Sequence, residues 1–340
     1  MGVAMPISAP HRSRNPHSRN ILSMLALGRT YVRHVPGTVG KASLAGRWLD
    51  LRLRDSPRRT VATTVDGARM VVDTRDVIQR WIYLFGVWEP HLTAWLRHRL
   101  APGDTFIDVG ANIGYYSLLA SRLVGPDGTV VAIDASRAFT EQLTANAQLN
   151  GATNIRTIHA AVSDTARVLS FALASETNLG GTTIVPFTAP PQARFELSAV
   201  PLPMLLEPSE ISAARVIKID VEGAEGQVVR GMEPLLDQFR DDVEIVVEVN
   251  PKRIAKVGDC LEELFTTMDR HGFHAYRITN DYYACTYPRA LKRPATPTRL
   301  HGSIDTETDL IFSRVDTNGL SRCFAVLPDS RPGKWCTRTK

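Results

Sequence analysis

The stretch Thr105-Phe-Ile-Asp-Val-Gly-Ala-Asn-Ile-Gly-Tyr-Tyr-Ser-Leu-Leu-Ala120 decides the fold of this chain. Its first five residues are mostly apolar and predict a buried strand, whereas the residues from Tyr115 onward predict a helix. Gly110 and Gly114 predict a tight turn between the two elements. Because ligands bind at the carboxyl edge of an open α/β sheet, this stretch predicts a ligand-binding loop.

Beyond this loop, short β-branched runs alternate with helical stretches, a pattern typical of βαβ units and a parallel sheet. The β-branched runs span 129–134, 155–162, 215–221, 243–249, 274–278 and 310–315. The helical stretches among them span 137–149, 227–239 and 260–271. We therefore predict an α/β fold built on an open, doubly wound, mostly parallel sheet of about seven strands.

The other segments predict additions to one core. Residues 1–59 predict a basic extension with accessory helices near 21–32 and 44–53, and residues 60–318 predict the main domain. Asp66-Gly67 predicts a β-hairpin across 60–73, and Pro90 interrupts a helical pattern over 77–99. Residues 168–209 hold six prolines and Gly180-Gly181, which indicates an insertion or lid rather than a second core. Residues 319–340 predict a loose tail.

Charge is spread unevenly along the chain. The net charge is +5, but residues 1–60 carry eleven Lys/Arg against Asp50 and Asp55, so this part is +9 and the remainder is −4. A basic extension of this kind is usually solvated, although it can also contact nucleic acid or anionic lipid. The high isoelectric point therefore says little about the main domain.

The cysteines and histidines give no metal-binding pattern. Cys260, Cys285, Cys323 and Cys336 form no C-x-x-C pair, and none of the nine histidines has ligand spacing. His91, beside Trp88-Glu89-Pro90, is the histidine that we expect nearest to the ligand. Since the sequence has neither a signal-peptide pattern nor a run of about 18 apolar residues, we expect a cytoplasmic protein without a membrane span.

Two features define the ligand expected at the loop. Asn112 stands where the dinucleotide pattern G-x-G-x-x-G has its second glycine, and a side chain there would crowd a pyrophosphate. Asp134 ends the next strand, 20 residues after Gly114, where a carboxylate can accept both ribose hydroxyls of an adenosine or, alternatively, cap a helix. Asp108, inside an apolar strand, needs a donor such as a loop amide or a ligand ammonium. The pattern favours a nucleoside that carries no phosphate.

The loop Asp108-Val-Gly-Ala-Asn-Ile-Gly-Tyr-Tyr116 and the later Ile217-Lys-Ile-Asp-Val-Glu-Gly-Ala-Glu225 together closely resemble the FkbM-type methyltransferases. Trp88-Glu89-Pro90, the 146–150 helix end, Ala161-Val162-Ser163-Asp164 and Val247-Glu248 are also similar to that family, over about residues 60–315. Pro201-Leu202-Pro203 departs from the Thr-Leu-Asp that the family commonly has there.

This resemblance implies a class I, Rossmann-like methyltransferase fold with S-adenosyl-L-methionine as cofactor. It also implies O-methylation of a hydroxyl on a sugar, a glycan or a secondary metabolite, so we expect a small-molecule or glycan acceptor and no nucleic-acid partner. The residues that we expect to bind the cofactor are Glu89, Asp108, Gly110, Ala111, Asn112, Gly114, Asp134, Ala135, Ser136, Ala161, Val162 and Asp220.

The second motif places carboxylates at the end of a strand, beside the glycine loop. Methyl transfer to an alcohol needs an aligned acceptor oxygen and a group that accepts its proton. Glu222 is the first candidate base, followed by Asp220 and Glu248. The alternative for Glu225 is a favourable contact with the helix dipole. Asp220-x-Glu222 could also hold Mg²⁺, but no third ligand is evident, so we expect no metal.

Three other classes of function fit these residues less well. A nucleotide-dependent oxidoreductase needs the glycine that Asn112 replaces. An RNA methyltransferase would use the basic extension on phosphates, yet the main domain shows no stripe of aromatic and basic residues. A non-catalytic module that binds the cofactor would keep the loop without the base.

Overall fold

The computed structural model describes residues 16–175, 178–183, 193–280 and 282–320. Its centre is an eight-stranded sheet whose strands, in chain order, are β3 (Thr105–Val109), β4 (Thr129–Asp134), β5 (Ile155–His159), β10 (Ala214–Ile219), β11 (Glu244–Val249), β12 (His274–Ile278), β13 (Thr298–Arg299) and β14 (Thr308–Ser313). The spatial order is β13-β12-β14-β11-β10-β3-β4-β5.

Five neighbouring strands of this sheet, from β5 to β11, are parallel, while β14 runs antiparallel to both β11 and β12. The order reverses between β3 and β10, which puts a crevice at the carboxyl ends of these two strands. The predicted doubly wound, mostly parallel, Rossmann-like sheet of about seven strands is confirmed, with the two-residue β13 added at one edge.

Helices cover both faces of the sheet. Those that connect its strands are α6 (Tyr115–Val124), α7 (Arg137–Leu149), α8 (Pro208–Ala213), α9 (Glu225–Met232), α10 (Pro251–Lys256) and α11 (Leu261–Arg270). Alternate strand residues serve the two faces, because side chains of a strand point to opposite sides. Phe106 and Val246 lie in one apolar core, and Ile107 and Ile245 lie in the other.

A layer of N-terminal elements lies on the Phe106 side of the sheet. It comprises α1 (Pro16–His34), α2 (Lys41–Leu44), a π-helical turn (Ala45–Leu49), α3 (Asp50–Asp55), β1 (Arg59–Thr63), β2 (Arg69–Asp73), α4 (Val77–Phe85) and α5 (Pro90–Arg99), with α12 (Tyr287–Ala290) packed beside them. The predicted hairpin is confirmed as antiparallel β1 and β2. The predicted break before Pro90 is confirmed as well, since α4 ends at Phe85 and α5 begins at Pro90.

The region predicted as an insertion or lid contributes strands to a second sheet. Its members are β6 (Ala161–Val162), β7 (Arg167–Ser175), β8 (Asn178–Thr183) and β9 (Ala193–Val200), in the order β6-β9-β7-β8. The run 155–162, predicted as one strand, is two, because β5 joins the central sheet and β6 joins the second one. Pro186, Pro190 and Pro191 of the predicted lid, and most of the predicted tail, lie outside the described residues. None of the described helices is long and apolar enough to cross a bilayer.

Candidate functional site

The glycine loop between β3 and α6 closes against two neighbouring strands. The amides of Gly110 and Ala111 both donate to the Ile133 carbonyl, at 2.9 and 3.0 Å. Gly110 has φ +84°, and a Cβ at this position would lie 1.7 Å from the Asp220 carbonyl oxygen. Only glycine lets the loop approach β10 this closely, so Gly110 joins the two sequence motifs at the crevice.

Asn112 and Asp134 are joined by hydrogen bonds. The Asn112 amide donates to Asp134 Oδ2 and the Ser136 amide donates to Asp134 Oδ1, each at 2.7 Å. Asn112 itself has φ +51°, a conformation that asparagine tolerates better than most residues. Burial raises the pKa of Asp134 to about 6. Each carboxylate oxygen keeps a further acceptor position, so Asp134 can still receive two hydroxyls.

A cleft opens at this crevice. Eight of the predicted site residues line it, namely Gly110, Asn112, Asp134, Ala135, Ala161, Val162, Asp220 and Glu222. The other lining residues are Ile78, Val109, Ile133, Phe139, Ala160, Leu169, Phe171, Val221 and Ala224.

The apolar part of this lining comes from three layers of the molecule. Phe139 belongs to α7, Ile78 to α4, and Leu169 and Phe171 to β7 of the second sheet. The second sheet therefore forms one wall of the cleft. Sequence reasoning assigned no role to these side chains, because nothing local in the sequence shows that the N-terminal layer and the second sheet meet here.

Other predicted cofactor residues lie beside the cleft without lining it. Asp108 is buried on β3, and Ser117 Oγ donates to its Oδ2 at 2.6 Å. Its Oδ1 has no hydrogen-bond partner within the described residues. Ala111 packs in the interior, Gly114 directly precedes α6 with φ +87°, and Ser136 caps α7 while its amide holds Asp134. These four residues support the shape of the loop in this structure.

Glu89 lies in a buried cluster on the N-terminal side of the sheet. Tyr116 donates to its Oε2 at 2.5 Å, and the Tyr282 hydroxyl lies 3.0 Å from its Oε1. The same hydroxyl is 3.0 Å from Glu248 Oε1. Burial raises the pKa of Glu89 and, more strongly, that of Glu248. Both carboxyl groups are therefore held by tyrosine hydroxyls instead of lining the cleft.

Lys218 is the cation within this acidic cluster. It is paired with Asp108 in the register of β10 and β3, and its Nζ lies 2.8 Å from Asp220 Oδ2 and 5.1 Å from the centre of the Tyr116 ring. Burial acts against the charged form of Lys218, yet Asp220, Asp108 and Glu89 raise its pKa. Burial likewise acts to raise the pKa of Asp220, but Lys218, a hydrogen bond from Glu248 and Arg253 together outweigh it, and the pKa of Asp220 lies below its usual value.

A hydrogen bond between Asp220 and Glu248 shifts the pKa values of these two groups in opposite directions. Asp220 is held as a carboxylate, whereas Glu248 favours its protonated form, so the Glu248 hydroxyl donates to Asp220. Lys218 was visible inside an apolar strand in the sequence. Its role was missed because its partners come from distant parts of the chain.

Three carboxylates of the cluster could together hold a cation. Glu89, Glu248 and Asp309 each offer an oxygen, and these atoms lie within 4.8 Å of one another. This set differs from the Asp220-x-Glu222 pair that the sequence suggested for Mg²⁺. Asn280 also donates to Asp309, and burial raises the pKa of Asp309 well above its usual value. In this structure, tyrosine hydroxyls contact Glu89 and Glu248, and the Asn280 amide donates to Asp309.

Glu222, the first candidate base, lies in the turn between Ile219, which ends β10, and Glu225, which begins α9. Its φ of +60° is one of three positive values at non-glycine residues in the described part of the chain, and the other two are at Glu89 and Asn112. Strained backbone of this kind is concentrated at functional sites. All three residues belong to the predicted site.

Arg253 on α10 holds the Glu222 carboxylate. It forms an ion pair with Glu222, and its Nη1 also lies 3.2 Å from Glu307. Burial, followed by repulsion from Asp220, raises the pKa of Glu222 to about 8 in spite of this cation. A carboxyl group with a pKa near neutrality is suited to proton transfer. Arg253 was not predicted, since it lies 31 residues beyond Glu222 in the sequence.

Glu225 and His91 have partners away from the cleft. The Gly223 amide donates to Glu225 Oε1 at 2.9 Å, and burial raises the pKa of Glu225 to about 7. This agrees with the alternative of a helix-start carboxylate. His91 is buried in α5, and its Nδ1 accepts the Ala295 amide at 2.8 Å.

Comparison with known proteins finds a family model that matches the part of the chain that forms this site. Residues 108–275, just under half of the chain, match the family model described as Methyltransferase FkbM domain. The matched range begins at the glycine loop and includes both motifs, the second sheet, Glu248 and Arg253.

Individual relatives are more distant. A curated arsenite methyltransferase of Halobacterium salinarum is 36% identical over 56 residues, which are 16% of this chain and 14% of that protein. The solved FkbM methyltransferase of Methylobacillus flagellatus is 14% identical, with a TM-score of 0.38 over 69% of this chain and 52% of its own. A putative rRNA methylase of Clostridium thermocellum is 10% identical, with a TM-score of 0.40 over 66% of this chain and 94% of its own.

Proposed function

The chain belongs to the FkbM family of S-adenosylmethionine-dependent methyltransferases, and from this premise we propose that it methylates a hydroxyl oxygen of a sugar, a glycan or a secondary metabolite. The observation that carries the proposal is the shared cleft. The glycine loop and Asp134, on the cofactor side, and the carboxylates of Asp220 and Glu222 all line one space.

The residues of the cleft fit the proposed cofactor. Asp134 has acceptor positions left for two ribose hydroxyls, and Phe139, Val162 and Phe171 offer an apolar wall for a purine ring. The orphaned Oδ1 of Asp108 is a buried acceptor behind the loop, of the kind that an ammonium group satisfies. When bound, S-adenosylmethionine supplies an electrophilic methyl group on a sulfonium centre.

The protein's own contribution is positioning and proton transfer. Holding two reacting groups in line can lower an activation barrier by about 7–11 kcal/mol. Alignment by the walls of the cleft therefore contributes more to the rate than proton transfer does. The Glu222 carboxylate, which Arg253 holds in place, accepts the proton of the acceptor hydroxyl as the general base. Asp220 stays ionised beside Lys218 and can accept a hydrogen bond from the acceptor. Glu248, protonated toward Asp220, is the less suitable base.

The experiment is a methyl-transfer assay that detects S-adenosylhomocysteine and the methylated product. Monosaccharides, nucleotide sugars, oligosaccharides and polyhydroxylated metabolites serve as acceptors, each beside its analogue with methyl ethers in place of hydroxyls. The proposal expects turnover on a hydroxyl acceptor and none on its capped analogue. Transfer to RNA, to a nitrogen or to a carbon, with every hydroxyl acceptor inert, would contradict it.

A further inference from the structure

One surface of the molecule combines exposed aliphatic side chains with unpaired basic ones. It is formed where the end of α1, the loop at 35–40 and the end of α12 meet. We call this surface the basic–apolar face and define it by Met24, Leu27, Val35, Val39, Arg289, Lys292 and Arg293.

The aliphatic half of the face follows α1 and the loop after it. Met24 and Leu27, three residues apart on the helix, are 55% and 70% exposed, and Val35 and Val39 are 41% and 83% exposed. Leu25, on the other side of α1, is buried against the core. The inward side of α1 thus packs against the core, whereas none of the described residues covers its outward aliphatic side.

The loop is fixed to the helix rather than standing apart from it. The Tyr31 hydroxyl donates to the Val39 carbonyl at 2.7 Å, and Lys41 Nζ donates to the Val32 carbonyl at 2.9 Å. The most exposed valine is therefore held in place on the surface. Aliphatic side chains that are kept exposed in one group mark a contact site more often than isolated ones do.

The basic half of the face comes from α12 and the residues after it. Gly37 and Thr38 line a groove together with Arg289, Lys292 and Arg293. Within the described ranges, none of these three side chains forms an ion pair with a carboxylate. Burial is the main cause that lowers the pKa of Lys41, and repulsion from Lys292 adds to it.

The two segments of the sequence that form the basic–apolar face contain no acidic residues. Residues 16–49 contain five Lys/Arg and no Asp or Glu, and residues 282–304 contain four Lys/Arg and again no Asp or Glu. The rest of the chain carries a net negative charge beyond residue 60. A positive field of this kind attracts polyanions.

We infer that the basic–apolar face binds the surface of an anionic phospholipid membrane. Lysine and arginine gain free energy near anionic headgroups, and short aliphatic groups beside them gain it by entering the boundary between headgroups and acyl chains. Nucleic acid would use the same basic residues but would leave Val35 and Val39 without a role. The inference is independent of the methyl acceptor.

The test is co-sedimentation of the full-length protein with vesicles of phosphatidylcholine alone and with vesicles that also contain phosphatidylglycerol. We expect binding only to the anionic vesicles, with weaker binding as salt rises. The double substitutions K292E/R293E and V35D/V39D should each weaken this binding by at least about tenfold. The matched controls K252E/K256E, in α10, and V168D, in β7, should bind like the wild type.

Thermal melting shows whether each variant stays folded, and the single substitutions R293E and V39D replace any double variant that does not. Equal binding to neutral and anionic vesicles would overturn the inference, as would no vesicle binding at all. So would a result in which V35D/V39D binds like the wild type and single-stranded RNA competes for the protein, because the face would then be a nucleic-acid surface.

Discussion

Asp134 is the residue on which cofactor recognition depends most in this account. It receives the amides of Asn112 and Ser136, and burial raises its pKa to about 6. Ribose hydroxyls would donate to the ionised form, since a protonated carboxyl has lost acceptor capacity. Cofactor affinity is therefore tied to the charge of a single group.

We expect the dissociation constant of S-adenosylhomocysteine to be constant above about pH 7 and to rise by about tenfold per pH unit below pH 6. The sign follows from the raised pKa, because a proton competes with the ligand as pH falls through it. Calorimetric titration between pH 5 and 8 checks this. Asp134→Asn is the control and should bind more weakly at every pH, without the slope. A wild-type affinity that is flat down to pH 5 would refute the assignment.

Glu222 carries the proposed proton transfer, and its pKa is raised to about 8. We expect kcat to increase as pH rises toward about 8, because only the ionised carboxylate accepts a proton. Glu222→Gln should lower kcat by about 10²- to 10⁴-fold and leave the KM for the cofactor within about threefold. Rates measured across pH 6–9 with an acceptor from the assay above decide the matter.

Glu225 provides the matched control for this substitution. It is a buried carboxyl three residues away, bonded to the Gly223 amide and absent from the cleft lining. Glu225→Gln should change thermal stability while keeping the pH profile of kcat. If the two variants lose kcat to the same extent, the loss reflects the fold of this turn, and Glu222 is not the base.

At the scale of elements, the glycine loop after β3 packs closely against the backbone at the end of β10. Gly110→Ala would place a methyl group 1.7 Å from the Asp220 carbonyl oxygen, at a φ that also disfavours alanine. We expect it to destabilise the protein by more than about 2 kcal/mol, measured by denaturant unfolding. Gly40→Ala has a similar positive φ, +68°, in the left-handed helical region with open space around the added carbon, and should cost only about 1 kcal/mol. Equal losses would mean that the close approach to β10 is unimportant.

Local sequence signals predicted most of these elements. The hairpin around Asp66-Gly67 and the helix break before Pro90 follow from residues that restrict their own backbone, so both were predicted. The two strands β5 and β6 were merged because both are β-forming and only one residue, Ala160, separates them. The residues of β9 that pair with β6 lie 38 residues further along the chain. Periodicity within a short window of sequence cannot predict such a pairing.

The same reasoning explains what the sequence revealed of the candidate site. The glycine loop and the Asp220 motif are each a continuous stretch of sequence, so the sequence alone predicts their residues. Glu89, Glu248 and Asp309 meet only because Glu248 and Asp309 pair in the register of β11 and β14 and α5 packs over that face. Arg253 reaches Glu222 for a similar reason. Contacts between distant elements carry no local signature.

At the scale of the whole molecule, the N-terminal extension is packed into the same core as the central sheet. Leu25 and Val32 of α1 belong to one apolar cluster with Trp95 and Phe106. The sequence predicted accessory helices and a solvated basic extension there. In the structure the described part of the extension has an inward apolar side in the core and an outward side that carries the exposed Met24 and Leu27.

Leu25→Ala should therefore destabilise the whole protein by about 2–5 kcal/mol, since it removes a fully packed side chain. Leu27→Ala, two residues along the same helix and 70% exposed, should change stability by less than about 0.5 kcal/mol. Guanidinium unfolding followed by circular dichroism separates the two. Similar small effects from both would show that α1 is not part of the core.

The central claim is that the cleft at the carboxyl ends of β3 and β10 binds S-adenosylmethionine, and its most direct test is isothermal titration of the full-length protein. We expect dissociation constants in the micromolar range for the cofactor and its demethylated product, weakened by at least about tenfold in Asp134→Ala. The control Asp127→Ala, in an exposed turn, should bind like the wild type. Absence of binding by the wild type, or equal binding by Asp134→Ala, would contradict the account.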